Sequence, residues 1–251
     1  MNVLIVGGTG YLGSNFSFLC KEVKLSSTIL DLRHVKDTSL KEFDVVLDFS
    51  MIDRRIGIWP KTDIEVFKSN HNLLLDKIIE FKQKFIRVSS VFDVRSFIRN
   101  DSYTSLSRQI SRIVLNRISN STVIYAHAIY GGFNSNSFID SALVKSTTFQ
   151  ESIRDYIHIH DFGEAVLSFL SKYRQIDREI EFGTGVPYLT SDVIKAKDSG
   201  VFHQLTPLHI DSPTFDSLSK KNLVCSAIQP RQQNFSTVFL DDSLAGYFSR
   251  I

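Results

Sequence analysis

The tightest constraint on this chain lies in residues 2–13, Asn-Val-Leu-Ile-Val-Gly-Gly-Thr-Gly-Tyr-Leu-Gly. A short apolar, β-branched run feeds straight into glycines at 7, 10 and 13, with Tyr11 and Leu12 between the last two. That order reads as a strand, a tight turn and a helix start, the construction that seats a dinucleotide pyrophosphate on a helix N-terminus. Gly7 and Gly10 would let the backbone approach the phosphates, and Gly13 would let the helix pack close to the sheet. The spacing is Gly-x-x-Gly-x-x-Gly. A glycine triplet alone is weak evidence; following a clean strand, with an acidic residue at the right distance, it is strong.

That acidic residue is Asp31. The run Ser-Thr-Ile-Leu-Asp (27–31) predicts a second strand with Asp31 at its C-terminal end. A carboxylate there accepts hydrogen bonds from the adenosine ribose hydroxyls and repels a 2′-phosphate, which favours NAD over NADP. Arg33, two residues later, is the alternative determinant, because it would receive that phosphate. A plain turn cap is the third role open to Asp31. With Phe49 and Ser50 at the end of a later strand, Gly7, Gly10, Tyr11, Leu12, Gly13, Asp31 and Arg33 make up the expected cofactor-binding set.

Length sets the scale: 251 residues, 43% hydrophobic and 22% charged, suit one sizeable soluble α/β domain with a small C-terminal lobe. A formal net charge of +2 with no basic run argues against nucleic acid as a partner. Cys20 and Cys225 form no metal or disulfide pattern, and Cys20 falls in an apolar helical stretch as a small buried side chain. A first strand at residue 2 leaves no room for a signal peptide, and no apolar run reaches membrane-spanning length. The expected location is the cytoplasm.

Further along, His34–Asp37 reads as a short third strand, 38–43 as a reduced helix, and Asp44-Val-Val-Leu-Asp-Phe-Ser50 as a buried fourth strand. Residues 51–62, broken by Gly57 and Pro60, read as a loop at the strand ends. Apolar residues at 66, 67, 73, 74, 75, 78 and 79 predict a helix over 63–81. A fifth strand over 85–90, a helix over 104–118 and a sixth strand over 122–130, stopped by Gly131-Gly132, complete the alternation. Continuously apolar strands between helices predict a doubly wound parallel sheet, Rossmann-like and covered on both faces. Beyond 132 the pattern loosens, with a short helix over 138–145 and a clearer one over 161–173 opening on an Asp161 cap. Brief strands follow at 180–182 and 238–240. The expected division is a dinucleotide-binding core over 1–132 and a substrate-binding lobe over 133–251, interleaved with the last core elements.

Several of these segments, in order, resemble the extended short-chain dehydrogenase/reductase family of nucleotide-sugar epimerases, dehydratases and reductases. The turn Gly7–Gly13 resembles that family's version. Arg154-Asp-Tyr-Ile-His-Ile-His-Asp161 resembles its Arg-Asp-Tyr-Ile-His-Val-x-Asp stretch, and Val123-Ile-Tyr-Ala-His-Ala-Ile-Tyr-Gly131 its Leu-Arg-x-x-Asn-Val-Tyr-Gly strand. Ile180-Glu-Phe-Gly-Thr-Gly-Val-Pro-Tyr188 resembles its Asn-Ile-Gly-x-Gly turn. Pro230-Arg231 and Leu240-Asp241 are similar to the tail of the dTDP-4-dehydrorhamnose reductases, and the short loop before Tyr103 is similar to that of the CDP-paratose synthases. The resemblance runs over nearly the whole chain. It implies an NAD(P)-dependent enzyme acting on a nucleotide sugar.

The same resemblance implies a catalytic set. In the family a Ser or Thr at the end of the fifth strand and a Tyr-x-x-x-Lys pair handle the proton while hydride moves to or from the nicotinamide. Ser90 takes the hydroxyl position and Tyr103 the tyrosine position, but the fourth residue on is Ser107 in place of lysine. A serine supplies a hydrogen bond without charge, so the phenol loses the cation that would lower its pKa. Arg108 lies one position further, about 100° around the helix, and should point away. Tyr125 and Ala128 stand where the family usually has Arg and Asn. Arg154 and Arg231 are the expected diphosphate-binding arginines, with structural ion pairs as the alternative. Asn70 falls near a family helix asparagine or on plain polar surface. His158 and His160 alternate around Ile159 as they would on a strand, which would point both the same way beside Asp161; no metal site is expected. Helices 63–81 and 104–118 are the expected faces of a homodimer. Two classes of function stay open: an enzyme with weakened or rearranged proton chemistry, and a non-catalytic cofactor- or sugar-nucleotide-binding protein of the same fold.

Overall fold

In the computed structural model of the chain, Val3–Val6, Val45–Asp48 and Ser121–Ala126 are each buried along their whole length. Burial without alternation is what strands in a parallel sheet acquire when helices cover both faces. The structure describes residues 1–51, 61–93, 102–133, 151–172, 178–199, 224–225 and 236–239. The chain divides into two compact units, Met1–Ser89 with Asp101–Ile124, and Ser90–Asn100 with Tyr125–Ile251.

In the first unit the elements run β1 (Asn2–Val6), α1 (Tyr11–Glu22), β2 (Ser26–Leu30), β3 (Val45–Asp48), α2 (Lys61–Phe81), β4 (Lys84–Ser90), α3 (Ser102–Arg117) and β5 (Ser121–Ala126). The last residue of β4 and the last two of β5 group with the second unit. The sheet order is β5-β4-β3-β1-β2, and β1 pairs in parallel with β2 on one side and β3 on the other. Val3 stands opposite Ser27 and Val45 in that register. Chain order therefore reverses at β1, and a crevice is expected beyond the carboxyl ends of β1 and β3.

Several expectations change here. His34–Asp37 is not a strand: Leu32–Asp37 forms a 3-10 helix, opened by the Asp31 carboxylate accepting from the Arg33 N–H. Leu32 and Val35, three apart, are its buried pair, which suits three residues per turn. Nor is 38–43 a helix; Phe43 N–H donates to the Leu40 carbonyl in a turn, and both side chains are buried. The strand expected fourth is thus β3, and α2 starts at Lys61, inside the stretch read as loop. Residues 52–60 of that loop lie outside the described residues. The long strand over 122–130 is two strands, β5 and β6 (Ala128–Tyr130), interrupted at His127. Ile110 and Val114 are core residues of α3, 3% and 0% exposed.

The second unit continues with β7 (Ser152–His158), α4 (Ile159–Lys172), β8 (Glu179–Gly183), β9 (Pro187–Leu189), α5 (Thr190–Ser199), β10 (Val224–Cys225) and β11 (Ser236–Phe239). β7 pairs in parallel with β6 and β10 and antiparallel with β9, and β8 pairs in parallel with β11. Tyr130, Tyr156, Tyr188 and Val193 form its tyrosine-rich core. Burial pushes the Tyr156 phenol pKa up. The Asp155 carboxylate accepts from the N–H groups of Thr184 and Gly185 at 3.0 and 2.7 Å. Two segments singled out in the sequence, 154–161 and 180–188, are thereby tied together. Asp161 is not a cap, because α4 begins at Ile159 and places it in the first turn. For the same reason His158 and His160 do not share a face: His158 ends β7, buried against the Tyr130 ring, while His160 is half exposed on the helix. The expected helix over 138–145, Arg231 and the Leu240-Asp241 pair lie outside the described residues. The Cys20 thiol is buried, which pushes its pKa up to about 11. Among the described residues no helix is long and apolar enough to cross a membrane.

Candidate functional site

A cavity of about 520 Å³ opens in the first unit at the predicted switch point. Gly7, Thr9 and Gly10 line it after β1, Asp31, Leu32 and Arg33 after β2, and Phe49, Ser50 and Met51 after β3. Asp63, Val66, Phe67 and Asn70 close it from the first turns of α2. Of the expected cofactor set, Gly7, Gly10, Asp31, Arg33, Phe49 and Ser50 are in its wall; Tyr11, Leu12 and Gly13 belong to the first turn of α1 instead.

The three glycines divide the work differently from the sequence expectation. Gly7 has φ +75°, and a Cβ there would meet the Ser50 backbone N at 2.8 Å, so it serves the close approach of β1 to β3. At Gly13 a Cβ would sit 2.4 Å from the Gly7 carbonyl oxygen, so it lets the helix fold down onto the turn. Gly10 is the glycine with room: its nearest atom would be the Gly7 oxygen at 3.3 Å. It is also the N-cap of α1, extended at φ −78° and ψ 173°, with no side chain capping the helix and no acidic residue in the first turn. The N-terminal end of a helix left without a side-chain cap, with the positive end of the helix dipole at a cavity wall, forms an anion seat. The donor set fits a dinucleotide pyrophosphate.

Asp31 does two things at once. Its carboxylate caps the 3-10 turn, accepting from the Arg33 N–H at 2.9 Å and from Arg33 Nε at 3.0 Å, and it faces the cavity. The Arg33 side chain beside it is the main reason its pKa is lowered to about 2. Arg33 itself projects into solvent.

Beneath the Phe49–Met51 wall lies a charged cluster that the sequence reading did not single out. Asp48 Oδ1 accepts from the Ser50 N–H at 2.8 Å and from the Ser50 hydroxyl at 2.5 Å. Its Oδ2 accepts from Arg87 Nη1 at 2.7 Å and lies 3.0 Å from His71 Nε2. All four residues are buried, Arg87 at 1% exposure. Burial pushes the Asp48 carboxyl pKa up, but Arg87 and His71 more than offset it and hold it well below the usual carboxylate range. The available signal was a charge inside each of two apolar strands, Asp48 in Val-Val-Leu-Asp and Arg87 in Phe-Ile-Arg-Val. Such a charge has to be paired on burial.

Among the expected catalytic residues, Ser107 is buried on α3 with its hydroxyl 3.0 Å from that of Ser89. Ser90 closes β4, half buried, and groups with the second unit. Tyr103 lies in the first turn of α3, with its side chain outside the described residues. Arg154 on β7 is half buried and donates from Nε to the Ser152 hydroxyl at 3.0 Å.

No protein-family model matches this sequence, and no curated protein sequence does either. Solved structures do match. A UDP-glucose 4-epimerase from Thermus thermophilus, solved with NAD, aligns with 100% of this chain and 93% of its own at TM-score 0.62 and 15% identity. A dTDP-glucose 4,6-dehydratase from Bacillus anthracis, also with NAD, aligns with 99% and 96% at TM-score 0.66 and 14% identity. An ADP-L-glycero-D-manno-heptose-6-epimerase from Helicobacter pylori covers 99% and 94% at TM-score 0.65 and 15% identity. The fold is therefore the Rossmann-like α/β fold seen in NAD-dependent nucleotide-sugar epimerases and dehydratases.

Proposed function

We propose that the chain is an NAD-dependent enzyme of nucleotide-sugar metabolism, a reductase, epimerase or dehydratase with an altered proton-handling site. The observation that carries this reading is the cavity at the β1/β3 switch point, with the uncapped Gly10 end of α1 at its wall and Asp31 at the end of β2. Gly10 and the first turn of α1 would hold the pyrophosphate, and Asp31 the adenosine ribose. When bound, NAD supplies a hydride acceptor or donor. Tyr103 then exchanges a proton with a sugar hydroxyl or ketone, Ser90 orients that oxygen, and Ser107 provides a hydrogen bond where the family has a lysine. Arg154 and Arg231 would meet the substrate diphosphate. The matched structures named for UDP-glucose and dTDP-glucose enzymes support a sugar nucleotide as the substrate class, and α2 and α3 are the proposed homodimer faces.

Two measurements test this. Calorimetric titration with NADH and NADPH asks whether the cavity is a cofactor site; absence of binding for both removes the reading. NADH oxidation with 4-keto nucleotide sugars then compares wild type with Tyr103→Phe, and turnover that survives the loss of the phenol removes Tyr103 from its role. A second reading, a non-catalytic binding protein, draws on Ser107, whose hydroxyl is engaged by Ser89 and which brings no cation to α3. Cofactor binding without turnover, in wild type and in Ser107→Lys alike, would establish it.

A further inference from the structure

The cluster under the cavity wall does not end at Asp48. Arg87 Nη1 also lies 3.4 Å from the Ser50 carbonyl oxygen, and Nη2 lies 3.7 Å from the Met51 sulfur, so one guanidinium reaches two residues that line the cavity. On its other side Arg87 Nε donates to the Ser111 hydroxyl at 3.4 Å. Ser111 donates to the Ser89 hydroxyl at 3.2 Å, and Ser89 pairs with Ser107 at 3.0 Å. At the opposite end His71, bonded to Asp48, lies one helical turn from Phe67, another cavity residue, with ring centroids 6.2 Å apart. The result is a continuous polar chain from α2, through the ends of β3 and β4, to α3. Every link lies within the first unit.

Two features make this chain more than buried filling. A carboxylate offers about four acceptor directions, and those of Asp48 meet Ser50 N–H, Ser50 hydroxyl, Arg87 and His71. A buried charge held by that many fixed partners has little freedom to rearrange alone, so a shift at the cavity wall must be shared along the network. Second, no α3 residue lines the cavity among the described residues. A ligand confined to the cavity therefore reaches α3 through intervening side chains.

We propose that Arg87 is a positioning residue that couples occupation of this cavity to helix α3 through the buried chain of polar groups. The inference rests on the reading of the cavity as the site of an adenine nucleotide, and extends it. Cofactor seating and the placement of Tyr103 and Ser107 become one event.

The probe is ADP, which carries the adenosine and pyrophosphate and lacks the nicotinamide half. Hydrogen exchange is followed on the full chain with and without ADP, in wild type, Arg87→Lys and Ser111→Ala. Arg87→Lys keeps a cation against Asp48 but loses the planar fork; Ser111→Ala removes the α3 hydroxyl that accepts from Arg87 and donates to Ser89. In wild type, ADP slows exchange in both 61–81 and 102–117, the second by roughly fivefold or more, the lower end of the usual range for coupled sites. In Ser111→Ala the slowing over 61–81 remains and that over 102–117 disappears, and Arg87→Lys loses the α3 response as well. An α3 response that survives in both variants overturns the proposal. So does a wild type whose α2 responds while α3 does not. If ADP slows neither segment, the adenine-nucleotide reading fails. The chain itself is then decided without ligand, by a stability cycle between His71→Gln and Ser111→Ala. Non-additive effects support the link through Arg87, and additive effects overturn it.

Discussion

Each unit buries a carboxylate on a basic side chain, but the two are built on different terms. In the first unit Asp48 is met by four donors around a permanent cation, Arg87. In the second, Glu181 lies 2.6 Å from His127 Nε2, and the other ring nitrogen of His127 is buried with no hydrogen-bond partner among the described residues. Two residues before it, Tyr125 donates to Glu179 at 2.7 Å, so Tyr125 and His127 face Glu179 and Glu181 as a two-rung ladder. The first arrangement is saturated and underlies a cavity. The second is a cross-strand pairing whose charge depends on imidazole protonation. A buried acid is thus informative through how many fixed partners it has and what those partners hold in turn.

The largest expected effect comes from breaking the saturated cluster. Asp48→Asn leaves Arg87 buried without a counter-charge, which typically costs about 3–5 kcal/mol. Glu181→Gln keeps a side-chain hydrogen bond to His127 and should cost about 1 kcal/mol. Chemical denaturation of the two variants checks the contrast, and equal losses would dissolve it. Acid sharpens the same comparison. The folded Asp48 pKa lies below its unfolded value of about 3.9, so its stabilisation is complete above about pH 5 and is lost as pH falls through the folded value. Wild type should lose thermal stability steeply below about pH 4, and Asp48→Asn less steeply. Identical acid profiles would remove Asp48 as a source of the transition.

Next come the glycines, which separate folding from binding. Gly13→Val drives a side chain into the turn's own carbonyl, 2.4 Å from where a Cβ would lie. Overpacking of this kind costs about 1–3 kcal/mol. Gly10→Val meets only one oxygen, at 3.3 Å, and should fold while losing tenfold or more in NADH affinity, roughly 1.4 kcal/mol. Calorimetry with melting curves reads both. Undiminished NADH affinity in Gly10→Val would end the pyrophosphate reading of the turn.

What the sequence made legible follows the same line. The positions of the glycine turn, β2 and Asp31 could be read because their signals are local: glycines directly after a strand, an uncapped helix start, a carboxylate at a strand terminus. The 3-10 helix Leu32–Asp37 was misread because four residues with one buried position at Val35 fit a short strand as well as a tight helix, and the Asx cap at Asp31 decided between them. The break at His127 was hidden inside one apolar run. The role of α2 at the cavity was not visible, because Asp63, Val66 and Phe67 reach it only once the end of β3 is placed beside them. Asp48 and Arg87 were in plain sight as charges in apolar strands. Their pairing spans 39 positions of sequence and needs the β3–β4 register, in which Asp48 stands opposite Arg87.

The smallest expected effect concerns Asp31, and it tests whether the exposed rim of the cavity follows the same logic as its buried floor. Asp31 and Arg33 form an ion pair at the surface, where such pairs contribute about 0–1 kcal/mol, so Asp31→Ala should leave the melting temperature nearly unchanged. Its consequence lies in cofactor choice. With the carboxylate present, NADH should bind more tightly than NADPH, because Asp31 accepts from the ribose hydroxyls and repels a 2′-phosphate. In Asp31→Ala that acceptor is gone and Arg33 is released from its side-chain partner among the described residues, free to meet the phosphate. The preference should then narrow by a few-fold, and Arg33→Ala should widen it. Parallel titrations of the three proteins with NADH and NADPH give the answer. A wild type that prefers NADPH would make Arg33 the determinant, with Asp31 acting as its tether and not as the ribose acceptor.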